Sequence, residues 1–341
     1  MKISAVSRCL ERNFEAKLPV LLVGAPGIGK TDVVQAAASS TKHKLLVSHP
    51  VVEDPTYARG FPVISKDGKS ASFIPFDTLA AAVKATEPTV WFLDDLGQAS
   101  PAMQAAYMQL LLARRVGEHV LSDFVTFVAA TNRKGDRAGV SGLLEPVKSR
   151  FKTIVHVEVC VDAWVNWALR AGMPAELIAF IQFHGAEMLH KHNPTTELVN
   201  SRSPRTWGNA GMLINAGLDV MNVDDQEELA GAVGQDGAND FVTFCKNFAS
   251  LFPVDEIFVN PKGCGIPDEL SAMHMLVNAA AMRASKANVK SVMTYAERLV
   301  QAGHGEMGTY LVRKSVLCAP ELAKTAAYSK YLASDAGKLM Q

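Results

Sequence analysis

Apolar positions along the first 160 residues alternate between two rhythms. Ile3, Val6, Leu10 and Phe14 recur at helical spacing, which predicts a helix over 3–14. Pro19–Val23 is a short continuous apolar run stopped by Gly24, the pattern of a buried strand. The alternation continues through a helix at 31–40, a strand at 44–48, a helix at 79–84 and a strand at 90–93. A helix follows at 102–113, then strands at 124–130 and 153–159. Ser100-Pro101 opens the 102–113 helix with a capping hydroxyl and a proline that suits the first helical position. Apolar strands alternating with helices predict an α/β fold with a mostly parallel sheet covered on both faces.

Two pieces interrupt this order. Residues 60–76 (GFPVISKDGKSASFIPF) place Asp67-Gly68 between alternating segments, a hairpin signal. Residues 114–122 (RRVGEHVLS) carry Gly117 between short runs and predict a second hairpin. Beyond residue 160 strand signals nearly vanish. Helical patterns run over 162–171, 174–191, 204–217, 225–231, 238–249, 268–284, 286–302, 306–318 and 319–333. The segment 252–267 is rich in Pro and Gly and breaks the pattern. The predicted domains are an α/β unit at 1–159, a helical part at 160–250 and a helical extension at 251–341. In the extension, Met273, Leu276, Val277, Ala280 and Met282 at helical spacing predict a core or docking face.

Composition narrows the classes. The chain has 341 residues, 48% hydrophobic and 20% charged, with a formal net charge of zero. That balance suits a soluble globular protein and supplies no global field toward nucleic acid or an anionic membrane. The five cysteines are scattered and form no C-x-x-C pair, which argues against a disulfide framework and a structural zinc site. His184, His190 and His192 lack the i, i+4 spacing that aligns a metal pair on one helix face. The N-terminal stretch mixes acids and bases without a continuous apolar run, so no signal peptide is expected. No stretch reaches the roughly 20 apolar residues of a membrane span. A cytoplasmic protein is the expectation.

The chemistry concentrates at the strand ends. Gly24-Ala25-Pro26-Gly27-Ile28-Gly29-Lys30-Thr31 fits G-x-x-x-x-G-K-[ST] and is followed by Asp32 in a helix-forming run. Glycines bend such a loop so that backbone N–H groups converge on phosphates, and the helix behind it aims its positive end at the same anion. Lys30 would reach the β/γ-phosphates of ATP, and the Thr31 hydroxyl would ligate Mg²⁺. Strand 90–93 delivers Asp94 and Asp95 to the C-terminal edge of the sheet, beside that loop. Asp94 would serve the Mg²⁺ shell and Asp95 would polarise the attacking water.

These motifs in this order resemble the AAA+ superfamily, and in particular its MoxR branch. That branch carries Asp-Glu where this chain has Asp94-Asp95. Aspartate is one methylene shorter, so Asp95 holds water less closely, and hydrolysis is expected to be slow or to need a neighbour to complete the geometry. The resemblance assigns Asn132, after Ala129-Ala130-Thr131, to the polar sensor near the γ-phosphate. The same residue type also suits a strand end by turn chemistry. Leu143-Leu144-Glu145 followed by Ser149-Arg150-Phe151 resembles the segment that bears the arginine finger, with Ser149 in place of the usual Asp. Arg150 is then the finger, with Arg137 as the alternative. Ser203-Pro204-Arg205 resembles the second sensor. Ser203 and Pro204 suit a helix start, and Arg205 in the first turn opposes the helix dipole unless an anion faces it. Arg202 is the weaker candidate.

The resemblance covers residues 1–220. It implies a P-loop sheet domain, a helical lid with ATP between the two, and a homo-oligomeric ring, hexameric by analogy. It also implies that both hairpins face a pore and contact partners. An ATP-hydrolysing, Mg²⁺-dependent, chaperone-like remodeler follows, with a protein partner of the kind that bears a von Willebrand factor A domain. Two alternatives remain. One is a helicase-like nucleic-acid motor, for which Arg114-Arg115 is a basic spot; neutral charge and few hairpin aromatics disfavour it. The other is an ATP-gated scaffold with little hydrolysis, suggested by Asp95.

Overall fold

The computed structural model describes the chain apart from residues 117–118, 137–141, 192–197, 251–253 and 339–341, and apart from the side chains of 247–250 and 271. The chain forms a P-loop parallel-sheet core followed by an α-helical lid and extension. By backbone contacts it divides into two compact units. The first holds Met1–Cys160 with the short return Ser203–Arg205, and the second is built mainly from Val161–Lys191 and Thr206–Gln341.

The first unit is organised by five parallel strands: β1 (Val20–Val23), β2 (Lys44–Ser48), β5 (Thr89–Leu93), β8 (Val125–Thr131) and β9 (Thr153–His156). Their spatial order is β2-β5-β8-β1-β9, so β1 lies between β8 and β9. Every residue of β5 and β8 is buried. The two-residue period of a strand sorts these side chains into two cores. Leu21, Trp91, Leu93, Phe127 and Ala129 join one cluster, closed by Leu79, Met103, Tyr107 and Leu110 from helices Asp77–Val83 and Pro101–Ala113. Val20, Leu22, Val90, Phe92, Val128 and Ala130 join the other, closed by Val6, Leu10, Phe14, Val34 and Ala37 from helices Ile3–Glu15 and Lys30–Ser40. Trp91 stacks on Phe127 at 5.4 Å between ring centroids, and its buried indole N–H is satisfied by Ser48 Oγ at 3.0 Å.

The last strand ends at His156, short of the expected 159; the Val157 N–H still donates to the Val23 carbonyl at 2.8 Å. The first hairpin is present as β3 (Phe61–Ile64) paired antiparallel with β4 (Ala71–Ile74). The second is a short pair, β6 (Arg115–Val116) with β7 (His119–Val120); its expected turn at Gly117 lies outside the described residues.

The described regular elements of the second unit are all helices. Phe180 centres an aromatic group, with Trp207, Phe241 and Phe244 at 5.1–5.3 Å between ring centroids. The expected helix 174–191 is broken into Ala175–His184 and Ala186–Leu189, because Gly185 takes a φ of 76°. The expected helix 319–333 splits into a 3-10 turn, Pro320–Lys324, and the helix Ala326–Leu332, capped by the Thr325 hydroxyl. The segment 252–267, expected as a break, contains the helix Val254–Val259, anchored by Val254 and Ile257. Met273, Leu276, Val277 and Ala280 lie in a buried core, as their spacing predicts. Helices Ala175–His184 and Leu270–Met282 pack on one another across the boundary expected at residue 251.

A polar seam runs through that packing. Tyr310 Oη lies 3.2 Å from Gln182 Oε1 and 3.1 Å from Asn278 Oδ1, and His274 stacks on the Tyr310 ring at 5.0 Å. Burial, and next the Lys314 charge, lower the His274 pKa below its ordinary 6.5. Burial likewise lowers that of His184 in the same unit. A histidine with a depressed folded pKa stays neutral in the native state while the unfolded chain takes up a proton below pH 6.5. Its stabilising contribution is therefore complete above that pH and is lost as pH falls. Denaturant midpoints followed by Trp164, Trp167 and Trp207 should drop between pH 7.5 and 5.5, about the range bracketing an ordinary imidazole. His274→Phe, which keeps the ring stack, should shrink that drop.

Candidate functional site

The phosphate-loop sequence leaves β1 at Gly24 and enters helix Lys30–Ser40 at Lys30. Gly27 and Gly29 have φ values of 73° and 92°, a region that side chains with a Cβ rarely adopt. A Cβ on Gly27 would also meet Ser203 Oγ at 2.8 Å. No side chain caps the helix start at Gly29, so the first-turn N–H groups face no capping oxygen. That arrangement, with the helix dipole behind it, suits an anion.

Lys30 is the buried charge at this point, 7% exposed. Its Nζ donates to the carbonyls of Gly24 and Ala25, each at 2.9 Å, and to Asn132 Oδ1 at 2.7 Å. Asn132 is presented there because β8 is the neighbour of β1 and both end at the same sheet edge. Burial lowers the Lys30 pKa to about 8; Asp95, Asp94 and Asp136 oppose the shift, and Arg205 adds to it.

The two acids follow β5. The Asp94 N–H donates to the Ser48 carbonyl at 2.9 Å, and Asp94 Oδ2 accepts from Thr31 Oγ1 at 2.8 Å. Asp94 Oδ1 accepts from the Asp95 N–H at 3.1 Å. Asp95 is held in the left-handed region at a φ of 56°, and its Oδ1 accepts from Gln98 Nε2 at 2.7 Å. Thr31 and Asp94 thus bring two hard oxygen donors together beside the loop, the donor type that Mg²⁺ takes.

The structure gathers Gly24–Asp32, Asp94, Asp95 and Asn132 into one cluster at the ends of β1, β5 and β8. Arg205 belongs to the same unit. Its backbone N–H donates to the Gly27 carbonyl at 3.1 Å, while its exposed side chain makes no hydrogen bond or ion pair among the described residues. Arg202 is engaged elsewhere, paired with Asp240 at 3.6 Å and lying 3.0 Å from the Met188 sulfur. Arg150 follows the short helix Glu145–Lys148; among the described residues its buried Nε has no partner, and no hydrogen bond or ion pair joins it to the loop. Arg137 and His192 lie outside the described residues.

Three contacts of the site have little or no signal in the sequence. Asp136 sits close enough to act on the Lys30 charge, and its spacing from Arg133, which it pairs with at 3.6 Å, was the one signal in the sequence. Gln98 carries no motif of its own. Ser203 belongs to the Ser203-Pro204-Arg205 pattern and suits a helix start, but nothing local announces its approach to Gly27. Among the described residues no group of three or more His, Cys, Asp or Glu is placed to hold a metal, and no helix is long and apolar enough to cross a membrane.

Comparison with known proteins agrees with this geometry over the sheet unit. Residues 19–151 match the family described as AAA domain (dynein-related subfamily). No curated protein matches the chain. Similar solved structures include the Thermotoga maritima RuvB Holliday junction branch migration motor, 14% identical, covering 97% of this chain and 86% of that one with a TM-score of 0.36. A point mutant of the same RuvB is 18% identical, covering 87% of this chain and 85% of that one with a TM-score of 0.41. NtrX from Brucella abortus in complex with ADP is 12% identical, covering 98% of this chain and 66% of that one with a TM-score of 0.40. The five-stranded parallel sheet with the phosphate loop on β1 is a P-loop core of the kind typical of AAA+ domains, and the family match spans residues 19–151 of it.

Proposed function

We propose that the protein is a Mg²⁺-dependent ATPase of the MoxR type that works as a ring and remodels a partner protein. The observation that carries this is the contact set at one sheet edge: Lys30 on Asn132, and Thr31 on Asp94. Residues separated by a large part of the chain meet there in the arrangement that phosphoryl chemistry uses.

ATP would place its phosphates over the Gly27–Gly29 bend and the first turn of helix Lys30–Ser40. Lys30 would exchange its carbonyl partners for phosphate oxygens, which restores a full counter-charge to a desolvated cation. Thr31 and Asp94 would hold Mg²⁺, which supplies Lewis-acid charge neutralisation at the phosphates. Asp95 would accept the proton of the attacking water, and Asn132 would orient that water without adding charge. Arg205 would approach the γ-phosphate within the subunit. Arg150, half-buried with its Nε unpaired among the described residues, suits an anion brought by a neighbouring subunit, and a planar guanidinium stabilises charge spread over phosphoryl oxygens. Residues 160–250 would act as the lid and 251–341 as an extension of it.

The hairpins favour a polypeptide over nucleic acid as the object of work. All eight residues of β3 and β4 are exposed, including Phe61 at 58%, Ile64 at 72% and Ile74 at 48%. In the register Phe61 opposes Ile74 on one face and Pro62 opposes Phe73 on the other, so both faces of the ribbon are apolar. The β6–β7 pair is tied to it by the His119 ring at 2.8 Å from the Phe73 carbonyl. Arg114 is already committed within the fold, since it donates to the Ser122 and Val125 carbonyls at 2.8 and 2.9 Å. A partner with a von Willebrand factor A domain is the first candidate for a pull-down with ATP-bound protein.

Steady-state ATPase should rise cooperatively with protein concentration. Lys30→Ala should abolish it together with ATP binding, and Arg150→Ala should lower it about 10³-fold or more while ATP still binds, the scale expected of an arginine finger. Turnover independent of concentration and of Arg150 would remove the ring. Phe61→Ser with Phe73→Ser should leave basal turnover intact and abolish its stimulation by an unfolded polypeptide; stimulation by single-stranded DNA instead would favour the nucleic-acid motor.

A further inference from the structure

Asp95 is the acid to which the proposed hydrolysis gives the attacking water, and its carboxylate is carried on a single methylene. A carboxylate one methylene back from the water loses catalytic reach unless its rotation is fixed, because misplacement by about 1 Å can cost a hundredfold in rate. Two features fix it here. The backbone of Asp95 is held at a φ of 56° and a ψ of 33°, unusual for a residue with a Cβ. The side chain is then pinned by Gln98 Nε2 on Oδ1 at 2.7 Å, short for an amide donor and typical of one facing an ionised oxygen.

The amide is itself held in place. Gln98 lies in the 3-10 turn Leu96–Gln98, whose Leu96 and Gly97 are buried, and the Gln98 N–H donates to the Asp95 carbonyl at 3.0 Å. Its Oε1 is buried and has no partner among the described residues. Leaving a buried amide oxygen unsatisfied is unfavourable, yet the turn keeps this amide where its N–H faces Asp95. A side chain chosen only to fill the space would be apolar.

We propose that Gln98 is a positioning residue for ATP hydrolysis: its amide N–H locks the Asp95 carboxylate so that Oδ2 takes the proton of the attacking water. The proposal rests on the ATPase reading above. In that step the water oxygen bonds to the γ-phosphorus, and the bond from γ-phosphorus to the bridging oxygen breaks with its electron pair passing to ADP. The water proton goes to Asp95 Oδ2, and inorganic phosphate leaves. Gln98 touches neither water nor phosphate and acts through Asp95 alone.

The test measures kcat at saturating Mg-ATP and the Kd for ATP in the full-length protein, for the wild type, Gln98→Ala and Gln98→Glu. Gln98→Glu keeps the length, removes the amide donor and sets a second carboxylate against Asp95. Both variants are expected to lose at least tenfold in kcat while the Kd stays within twofold. Asp95→Glu added to Gln98→Ala should recover most of the loss, since the longer acid reaches the water without the lock. A Gln98→Glu variant with full kcat overturns the proposal, as does a rise in kcat in either variant, which would make Gln98 a brake. A parallel loss of Kd and kcat would make it a structural residue of the loop and also overturns it. A wild type that turns over no faster than Lys30→Ala removes the ATPase reading itself, and this proposal with it.

Discussion

Lys30 has a desolvated ammonium with no carboxylate within ion-pair distance among the described residues, and much of the first unit is arranged around that fact. Its three hydrogen bonds go to two carbonyls and one amide oxygen, which satisfy its N–H groups without neutralising its charge. A buried cation in that position is a standing cost, about several kcal/mol for a fully desolvated ion. Three carboxylates, Asp94, Asp95 and Asp136, act on it from a distance and only partly offset the burial. A polyanion that reaches the same point gains what the protein has left unmade. The sheet order supplies the geometry: placing β1 between β8 and β9, with β5 next to β8, brings the loop, the two acids and Asn132 to one edge.

The same economy of contacts applies around the lysine. Thr31 rests on Asp94, Lys30 on Asn132 and Asp95 on Gln98, so these groups at the sheet edge are each engaged with another side chain. Nucleotide, metal ion or water entering the site would compete with these pairings. The Arg150 and Arg205 side chains stand outside the network, with no ion pair among the described residues.

Much of this was legible in the sequence because it is local. The glycine spacing of 24–31, the two aspartates after an apolar strand and the two-residue alternation of β5 and β8 each depend on near neighbours along the chain. The register that sorts Trp91 and Phe92 into opposite cores follows from the same alternation. What sequence could not show depends on chain crossings. Ser203 meets Gly27 only because the chain returns to the first unit at 203–205. Asp136 matters through its distance to Lys30, and Gln98 through a side-chain rotation inside a single turn. The helix expected over 174–191 failed at Gly185, where a positive φ overrides an otherwise helical pattern. The helix Val254–Val259 was hidden by the prolines and glycines on either side, and burial of Val254 and Ile257 stabilises it.

The most direct test of the central claim is the shift in unfolding midpoint produced by ATP, measured for the wild type and for Lys30→Met, which fills the space without the charge. If the unpaired ammonium is what nucleotide satisfies, millimolar ATP should raise the wild-type midpoint by several degrees and leave Lys30→Met unmoved; a ligand at about 100 times its Kd adds roughly 2.7 kcal/mol to the folded state. Equal shifts in the two proteins, or none in the wild type, would contradict the account.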